Sequence, residues 1–351
     1  MQTIRIGKKV IGPKQPVFII AEAGVNHNGS LRHALELVDA AAMAGADAVK
    51  FQTFKAAEVT TAKGNMAAYQ KRNTGKDESQ LAMLRTLELK ESFYTPLLAR
   101  CRKRRILFLS TPHGGFESVD FLVREKIEAL KFGSGDLTNL PLLAYAARFK
   151  LPMILGTGMA TLVEVRTAMR TIHRAGNRQV VALHCTTNYP CPPNEVDLRA
   201  MQTMQEKISA LIGYSDHTLG IQVPIMAATL GACVIEKHFT LDRRMEGPDH
   251  AASLEPRELG EMVRAIHAVE TILGSAEKRP HASEQPMIVT VRKSIVTTRR
   301  IEKGEKLTRK NIGIKRPGTG IPPAQFIRII GKRAKKLLPS DHLLKPTEYG
   351  A

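Results

Sequence analysis

The stretch ISALIGYSDHTLGIQVPIMAATLGACVIEKHF, Ile208 to Phe239, holds two apolar runs of strand character with a small-residue helical pattern between them. The first run ends in Tyr214-Ser215-Asp216-His217, and the second, Ala232 to Ile235, ends in Glu236-Lys237-His238. A strand–helix–strand crossover of this length makes the two strands parallel neighbours, so both imidazoles emerge on one rim. Two neutral imidazoles side by side, with positions left open between them, suit a catalytic divalent metal. One histidine in such a place would read as a strand cap. A matched pair at equivalent strand ends points to metal or catalysis.

Outward from this stretch the same pattern repeats. Apolar β-rich runs occur at Val17–Ala21, Ala48–Phe51, Ile106–Leu109, Ala129–Phe132, Pro152–Leu155, Val180–His184, Ser209–Gly213 and Cys233–Glu236. Amphipathic helical patterns separate them, among them Leu31–Ala44, Phe116–Glu125, Pro141–Phe149, Leu162–Ala175 and Asp197–Gln205. Near-continuous apolar strands alternating with helices imply a parallel sheet covered by helices. Eight such units predict a (β/α)8 TIM barrel, closed by a helix at Pro256–Leu273. No GxGxxG follows the first run, which argues against a dinucleotide fold.

In a barrel the residues after each strand line one mouth, where chemistry takes place. Here they include Glu22, Asn26-His27, Lys50, Gln52, Thr111, Lys131, Ser134, Asp136, Thr187, Tyr189, Ser215, His217 and His238. Two lysines among hydroxyls and glycine N–H groups make a cradle for phosphate or carboxylate. The second and third runs start 58 residues apart, at 48 and 106, against about 23 to 31 elsewhere. The excess, Lys55 to about Ser92, is polar and reads as an arm over the substrate, with Asn65 and Tyr69 as contacts. Glu246-Gly247-Pro248-Asp249-His250 reads as a turn carrying a carboxylate.

The division predicted is a barrel over 1–273, a linker over 274–286, and a small β-rich module over 287–351. That module holds 16 Lys+Arg against 4 Asp+Glu, so +12 of the chain's +19 lies there. It has no aromatic interleaving for base stacking, only Phe326 and Tyr349, which argues against nucleic acid. No apolar run reaches the ~20 residues needed to cross a bilayer, and the N-terminus shows no secretory pattern. Cys101, Cys185, Cys191 and Cys233 lack CxxC spacing and lie in or beside apolar runs, so reduced thiols in a cytoplasmic protein are expected.

Ten motifs in order are AEAGVNHNGS, AVKFQTFKA, FLSTP, KFGSGDLTNLPLL, LGTGMATL, LHCTTNYPCP, IGYSDHTLG, IEKHFTLD, GPDH and IKRPGTGI. Together they resemble the sialic acid synthase family, which includes N-acetylneuraminate synthases and legionaminic acid synthases. The resemblance implies a (β/α)8 barrel followed by an antifreeze-like (SAF) domain. It also implies condensation of phosphoenolpyruvate with N-acetylmannosamine or a related 2-acetamido sugar, with release of phosphate. By the same resemblance His217 and His238 are metal ligands, for manganese or else magnesium or cobalt, and Glu22 is the acid/base. Lys50, Thr111, Lys131, Ser134 and Ser215, with Gln52 nearby, match phosphoenolpyruvate-binding positions. Asn65, Asp136, Tyr189 and Asp249 match sugar contacts. Arg316 matches an arginine that reaches the sugar's N-acetyl group from the second chain of a domain-swapped homodimer.

Four positions depart from the family pattern. Asp136 stands where many members have Glu, Gly156 where some have a phosphoenolpyruvate-contacting serine, Thr187 where some have Asn, and His113 where Phe is common. They bear on which sugar is used and not on the reaction class. The alternatives are the same chemistry on 2,4-diacetamido-2,4,6-trideoxymannose, giving legionaminic acid, and a polyanion- or polysaccharide-binding protein whose barrel is inactive.

Overall fold

A computed structural model describes residues 3–351, and the chain divides into two compact units, Met1–Gly274 and Ser275–Ala351. In the first unit the parallel strands are β1 (Phe18–Gly24), β2 (Ala48–Thr53), β3 (Leu107–Pro112), β4 (Leu130–Phe132), β5 (Met153–Gly156), β6 (Val180–His184), β7 (Leu211–Asp216) and β8 (Val234–His238). They close into a barrel in sequence order, with β8 pairing back onto β1. The helices that alternate with them are α1 (Leu31–Ala44), α2 (Tyr94–Arg104), α3 (Gly115–Arg124), α4 (Leu140–Ala147), α5 (Leu162–Arg174), α6 (Arg199–Lys207), α7 (Gln222–Thr229) and α8 (Pro256–Leu273).

Local chemistry sets the helix ends. Ser30 caps α1 by accepting the His33 N–H, and Gly45 ends it in the left-handed region at φ 86°. Thr161 and Glu164 form a reciprocal capping box at the start of α5.

Strand periodicity sorts side chains between two cores. Phe18, Ile20, Ala48, Leu109, Ile154, Val181, Leu183 and Val234 point inward and fill the lower barrel. Ile4, Ile6 and Ile11, from the antiparallel hairpin Ile4–Ile6/Lys9–Ile11, join this cluster. The alternate residues, such as Ile19, Ala21, Val49, Phe51, Phe108 and Ile235, face the helices in a larger outer core. The inward set continues upward by steps of two into Glu22, Lys50, Gln52, Thr111, Lys131, Ser215, Glu236 and His238. The apolar floor therefore gives way to a polar mouth within the same strands. Several strands run one to three residues past the apolar runs of the sequence, because the ladder continues through these polar residues.

The excess between β2 and β3 is not an extended loop. It contains helices at Ala56–Val59, Ala68–Thr74 and Gln80–Thr86. Met66, Met83 and Leu87 of this arm pack with Val25 and Phe54 into a small cluster of their own.

The second unit has a separate core that includes Ile295, Ile301, Leu307, Ile312, Ile329, Leu338 and Leu344. Strand Ser294–Thr297 pairs antiparallel with Ile312–Lys315, and Arg333–Ala334 pairs with Tyr349–Gly350. The segment expected as linker ends in a 3-10 turn, Ala282–Glu284, that runs into a helix, Gln285–Val291. Among the described residues no helix is long and apolar enough to cross a membrane.

Candidate active site

The barrel mouth encloses a cavity of about 330 Å³. Of the residues singled out in the sequence, Glu22, Lys50, Gln52, Thr111, Lys131, Ser134, Thr187, Tyr189, Ser215, His217, His238 and Asp249 line it. Six strands and four of the segments that follow strands bring them to one place.

On its floor lies a four-membered ionic cluster. Glu22 Oε2 is 2.7 Å from Lys50 Nζ, and Lys50 also donates to Thr111 Oγ1 at 3.1 Å. Glu236 Oε1 accepts the Ser215 hydroxyl at 2.9 Å and stands 3.3 Å from Lys131 Nζ, while its Oε2 is 3.8 Å from Lys50. All four charged side chains are buried, so their protonation follows from desolvation against these neighbours. Burial drives the Glu22 carboxyl up to about 7 against the pull of Lys50. Burial acts on Glu236 in the same sense, but Lys131, Lys50 and the Ser215 hydroxyl outweigh it and hold that carboxyl at about 2. Burial lowers Lys50, but Glu22 and Glu236 more than compensate, so it remains an ammonium. The floor thus offers one fixed anion, one buried ammonium held charged, and a carboxyl that exchanges its proton near neutrality.

Glu236 belongs to this centre, although the sequence reading stopped at its neighbour His238. The signal was there: two residues along a strand return to the same face.

Beside the lysines, Gly158 N–H donates to Ser134 Oγ at 2.9 Å and to Cys185 Sγ at 3.1 Å. A Cβ at Gly158 would lie 2.1 Å from Thr187 Oγ1 and 2.9 Å from Ser134 Oγ, so glycine is required for this approach. At Gly156 a Cβ would stand 2.9 Å from Ser134 Oγ, which gives the departure at that position a steric consequence.

The two histidines border the same cavity with ring centroids 5.5 Å apart. His217 Nδ1 donates to the Thr186 carbonyl at 2.6 Å, which leaves its Nε2 as the free acceptor. His238 Nδ1 is buried without a hydrogen-bonding partner. Burial holds both imidazoles neutral, His238 well below the usual range with His217 adding to the effect. Neutral, neighbouring rings with bare nitrogens fit a divalent cation held by two protein ligands, the others coming from substrate and water. Among the described residues no group of three or more His, Cys, Asp or Glu is arranged to ligate a metal, so protein side chains alone would not complete a coordination shell.

The Tyr189 ring packs tilted against His217 with centroids 4.1 Å apart, and Tyr69 from the arm stacks on Tyr189 at 5.0 Å. Asp249 is buried at the same end, where desolvation raises its carboxyl to about 6. The arm is fastened over this end by Asn73 donating to the Pro248 carbonyl at 2.7 Å and by a Lys76–Glu246 ion pair at 2.6 Å. Its inner side is mixed: Val59, Met83, Leu84 and Leu87 face the cavity beside Tyr69, Gln70 and Gln80, with Val25 and Phe54 adjoining.

Two expected contacts lie elsewhere. Asn65 is exposed and bridged to Ser79 within the arm, because the arm folds on itself there. Asp136, on the turn after β4, does not line the cavity; its carboxylate is 3.6 Å from the ring of His113, which does. Arg316 is an exposed residue of the second unit, next to a cis bond to Pro317.

A model of the NeuB family matches residues 37–278, and one of the SAF domain matches residues 292–348. The chain belongs to the NeuB family. It is 46% identical over 333 residues to N,N'-diacetyllegionaminic acid synthase of Legionella pneumophila, covering 93% of each chain. It is 34% identical to the human N-acetylneuraminate-9-phosphate synthase, over 94% of this chain and 92% of that one. Among solved structures it is similar to an N-acetylneuraminic acid synthetase of Leptospira borgpetersenii, with TM-score 0.72 and 36% identity over 82% of this chain and 95% of that one. In this chain the buried carboxyl, two lysines and two histidines meet at a single mouth.

Proposed function

We propose that this chain condenses phosphoenolpyruvate with an open-chain 2-acetamido sugar, forming a nine-carbon 2-keto acid and releasing phosphate. The observation that carries the reading is the placement of Glu22, Lys50, Lys131 and Glu236 against the His217–His238 pair in one cavity. Lys50 and Lys131, with Thr111, Ser134 and Ser215, hold the phosphate and carboxylate of phosphoenolpyruvate. The enol methylene carbon then attacks the sugar aldehyde, and the electron pair of the C=O goes to its oxygen. Glu22, able to carry a proton near neutrality, gives it to that oxygen. Water adds to the resulting cationic carbon, Glu22 takes back a proton, and the tetrahedral intermediate expels phosphate by C–O cleavage. His217 and His238 would hold a divalent metal, manganese by family resemblance, which when bound supplies Lewis-acid polarisation of the aldehyde oxygen.

For the acceptor, Val59, Met83, Leu84 and Leu87 on the inner side of the arm suit the methyl groups of a deoxy, acetamido-substituted sugar. The similarity to the Legionella synthase supports the same choice. The acceptor is therefore 2,4-diacetamido-2,4,6-trideoxymannose, with N-acetylmannosamine the second candidate. The free thiols of all four cysteines fit a cytoplasmic setting. Arg316 enters on family resemblance alone, as the contact supplied by the second chain of a swapped dimer; Arg316→Ala with sedimentation analysis tests both points.

The deciding assay supplies phosphoenolpyruvate, manganese and each sugar in turn, and follows phosphate and keto acid. Phosphate release should require a sugar and favour the diacetamido one. Release from phosphoenolpyruvate alone would make the protein a phosphatase and end this reading.

A further inference from the structure

We propose that the outward-facing pair Asp216–Lys237 is a positioning device that sets the spacing of the two site histidines. The inference rests on the reading of His217 and His238 as metal-holding residues.

Strand alternation turns His217, Ser215, Glu236 and His238 into the barrel and sends Asp216 and Lys237 into the layer between strands and helices. That layer is otherwise apolar near them, with Ile212, Tyr214 and Ile235 in the outer core. Both charged side chains are fully buried there. Lys237 Nζ donates to the Asp216 carboxylate and to the Thr218 carbonyl. The carboxylate also accepts from the Tyr214 hydroxyl at 3.2 Å, the Thr218 N–H at 3.2 Å and the Thr218 hydroxyl at 3.0 Å.

A buried ion pair is a poor choice for stability, since apolar residues of similar volume are often as stable or more so. What the pair provides is direction. Ladder pairing between β7 and β8 ends at Asp216 opposite Lys237, so His217 lies just beyond the last sheet contact between the two strands. His238 is still in register, opposite Glu22 on β1. Lys237 adjoins His238 in the chain, and the two groups it binds, on residues 216 and 218, flank His217. One ammonium therefore ties the unladdered histidine to the strand of the laddered one. His238 needs such help because its Nδ1 has no polar partner to aim the ring.

The test uses the full-length chain and measures manganese affinity from the electron paramagnetic resonance of the free ion. Phosphoenolpyruvate affinity without metal and urea unfolding are measured in parallel. The main variant is Asp216→Leu/Lys237→Met, which removes both charges at similar volume. Manganese affinity should fall about 10–100-fold, the range for lost supporting contacts around metal ligands. Phosphoenolpyruvate affinity should stay within about twofold, and unfolding should remain cooperative. Should that variant not fold, Asp216→Asn/Lys237→Gln removes both charges but keeps hydrogen-bonding groups at both positions and should show a smaller loss in the same direction. Unchanged manganese affinity in the folded variant overturns the proposal, as does an equal loss of both ligands. If the wild type itself binds no manganese that His238→Ala abolishes, the metal reading fails first and the positioning role with it.

Discussion

Glu22 Oε2 and Lys50 Nζ lie 2.7 Å apart on neighbouring strands, each buried, and residues 22 and 50 are register partners in the β1–β2 ladder. The contact keeps Lys50 cationic without fully ionising Glu22, because burial penalises that carboxylate and Glu236, which shares the same ammonium, adds its repulsion. A lysine held cationic and a proton-exchanging acid thus arise from one contact and its neighbours.

Glu236→Gln tests that division of labour. The amide keeps the Ser215 contact but leaves Lys50 and Lys131 with Glu22 as the one remaining carboxylate of the cluster. Breaking a buried ionic group from one side costs about 3–5 kcal/mol. The urea midpoint should fall accordingly, and phosphate release should drop at least about 100-fold. A variant with wild-type midpoint and turnover would remove Glu236 from the centre.

Asp249 gives a pH signature in stability. Its carboxyl sits at about 6 when folded, against an ordinary value of 3.8, through burial. The folded chain therefore binds an extra proton between these values, and its stability falls as pH rises through about 6. The shift is worth about 3 kcal/mol at most. Comparing urea midpoints at about pH 4.5 and 7.5, Asp249→Asn should lose less stability with rising pH than the wild type. Parallel curves would contradict the assignment.

Gly158→Ala probes the anion cradle. The added Cβ meets Thr187 Oγ1 at 2.1 Å and Ser134 Oγ at 2.9 Å. Displacing Ser134 by overpacking, at about 1.4 kcal/mol, corresponds to a tenfold rise in KM for phosphoenolpyruvate. The acceptor KM should move much less, and steady-state kinetics with each substrate varied separately decides it.

Tyr69→Ala strips the outer ring from the Tyr69–Tyr189–His217 cluster. Aromatic contacts of this kind contribute about 0.5–1.5 kcal/mol beyond area. Acceptor KM should rise roughly three- to tenfold with phosphoenolpyruvate KM unchanged. The reverse pattern would detach the arm from the sugar.

The barrel was legible because each strand is a short apolar run and the polar residues that follow each run mark its upper end. The same alternation that fills the floor with Ile20 and Val234 delivers Glu22 and Glu236, so the missed carboxylate was readable from period two. The arm's place over the cavity and its Tyr69 were readable, but its internal structure was not. Its helices are four to seven residues long, too short to show a periodicity, and they are held by contacts such as Asn73 with Pro248. The apolar lining from Met83, Leu84 and Leu87 and the outward turn of Asn65 follow from that tertiary fastening. Helix Gln285–Val291 was hidden for another reason. Its MIVTV sequence favours a strand, and Pro286 in its first turn helps start the helix instead.

The seam where β8 returns to β1 places His238 directly opposite Glu22. The first and last strands of the barrel thus border one cavity, and a growing chain on the ribosome cannot complete it until residue 238 has emerged and docked. Partial synthesis products are inert, and regained turnover after dilution from denaturant times ring closure itself.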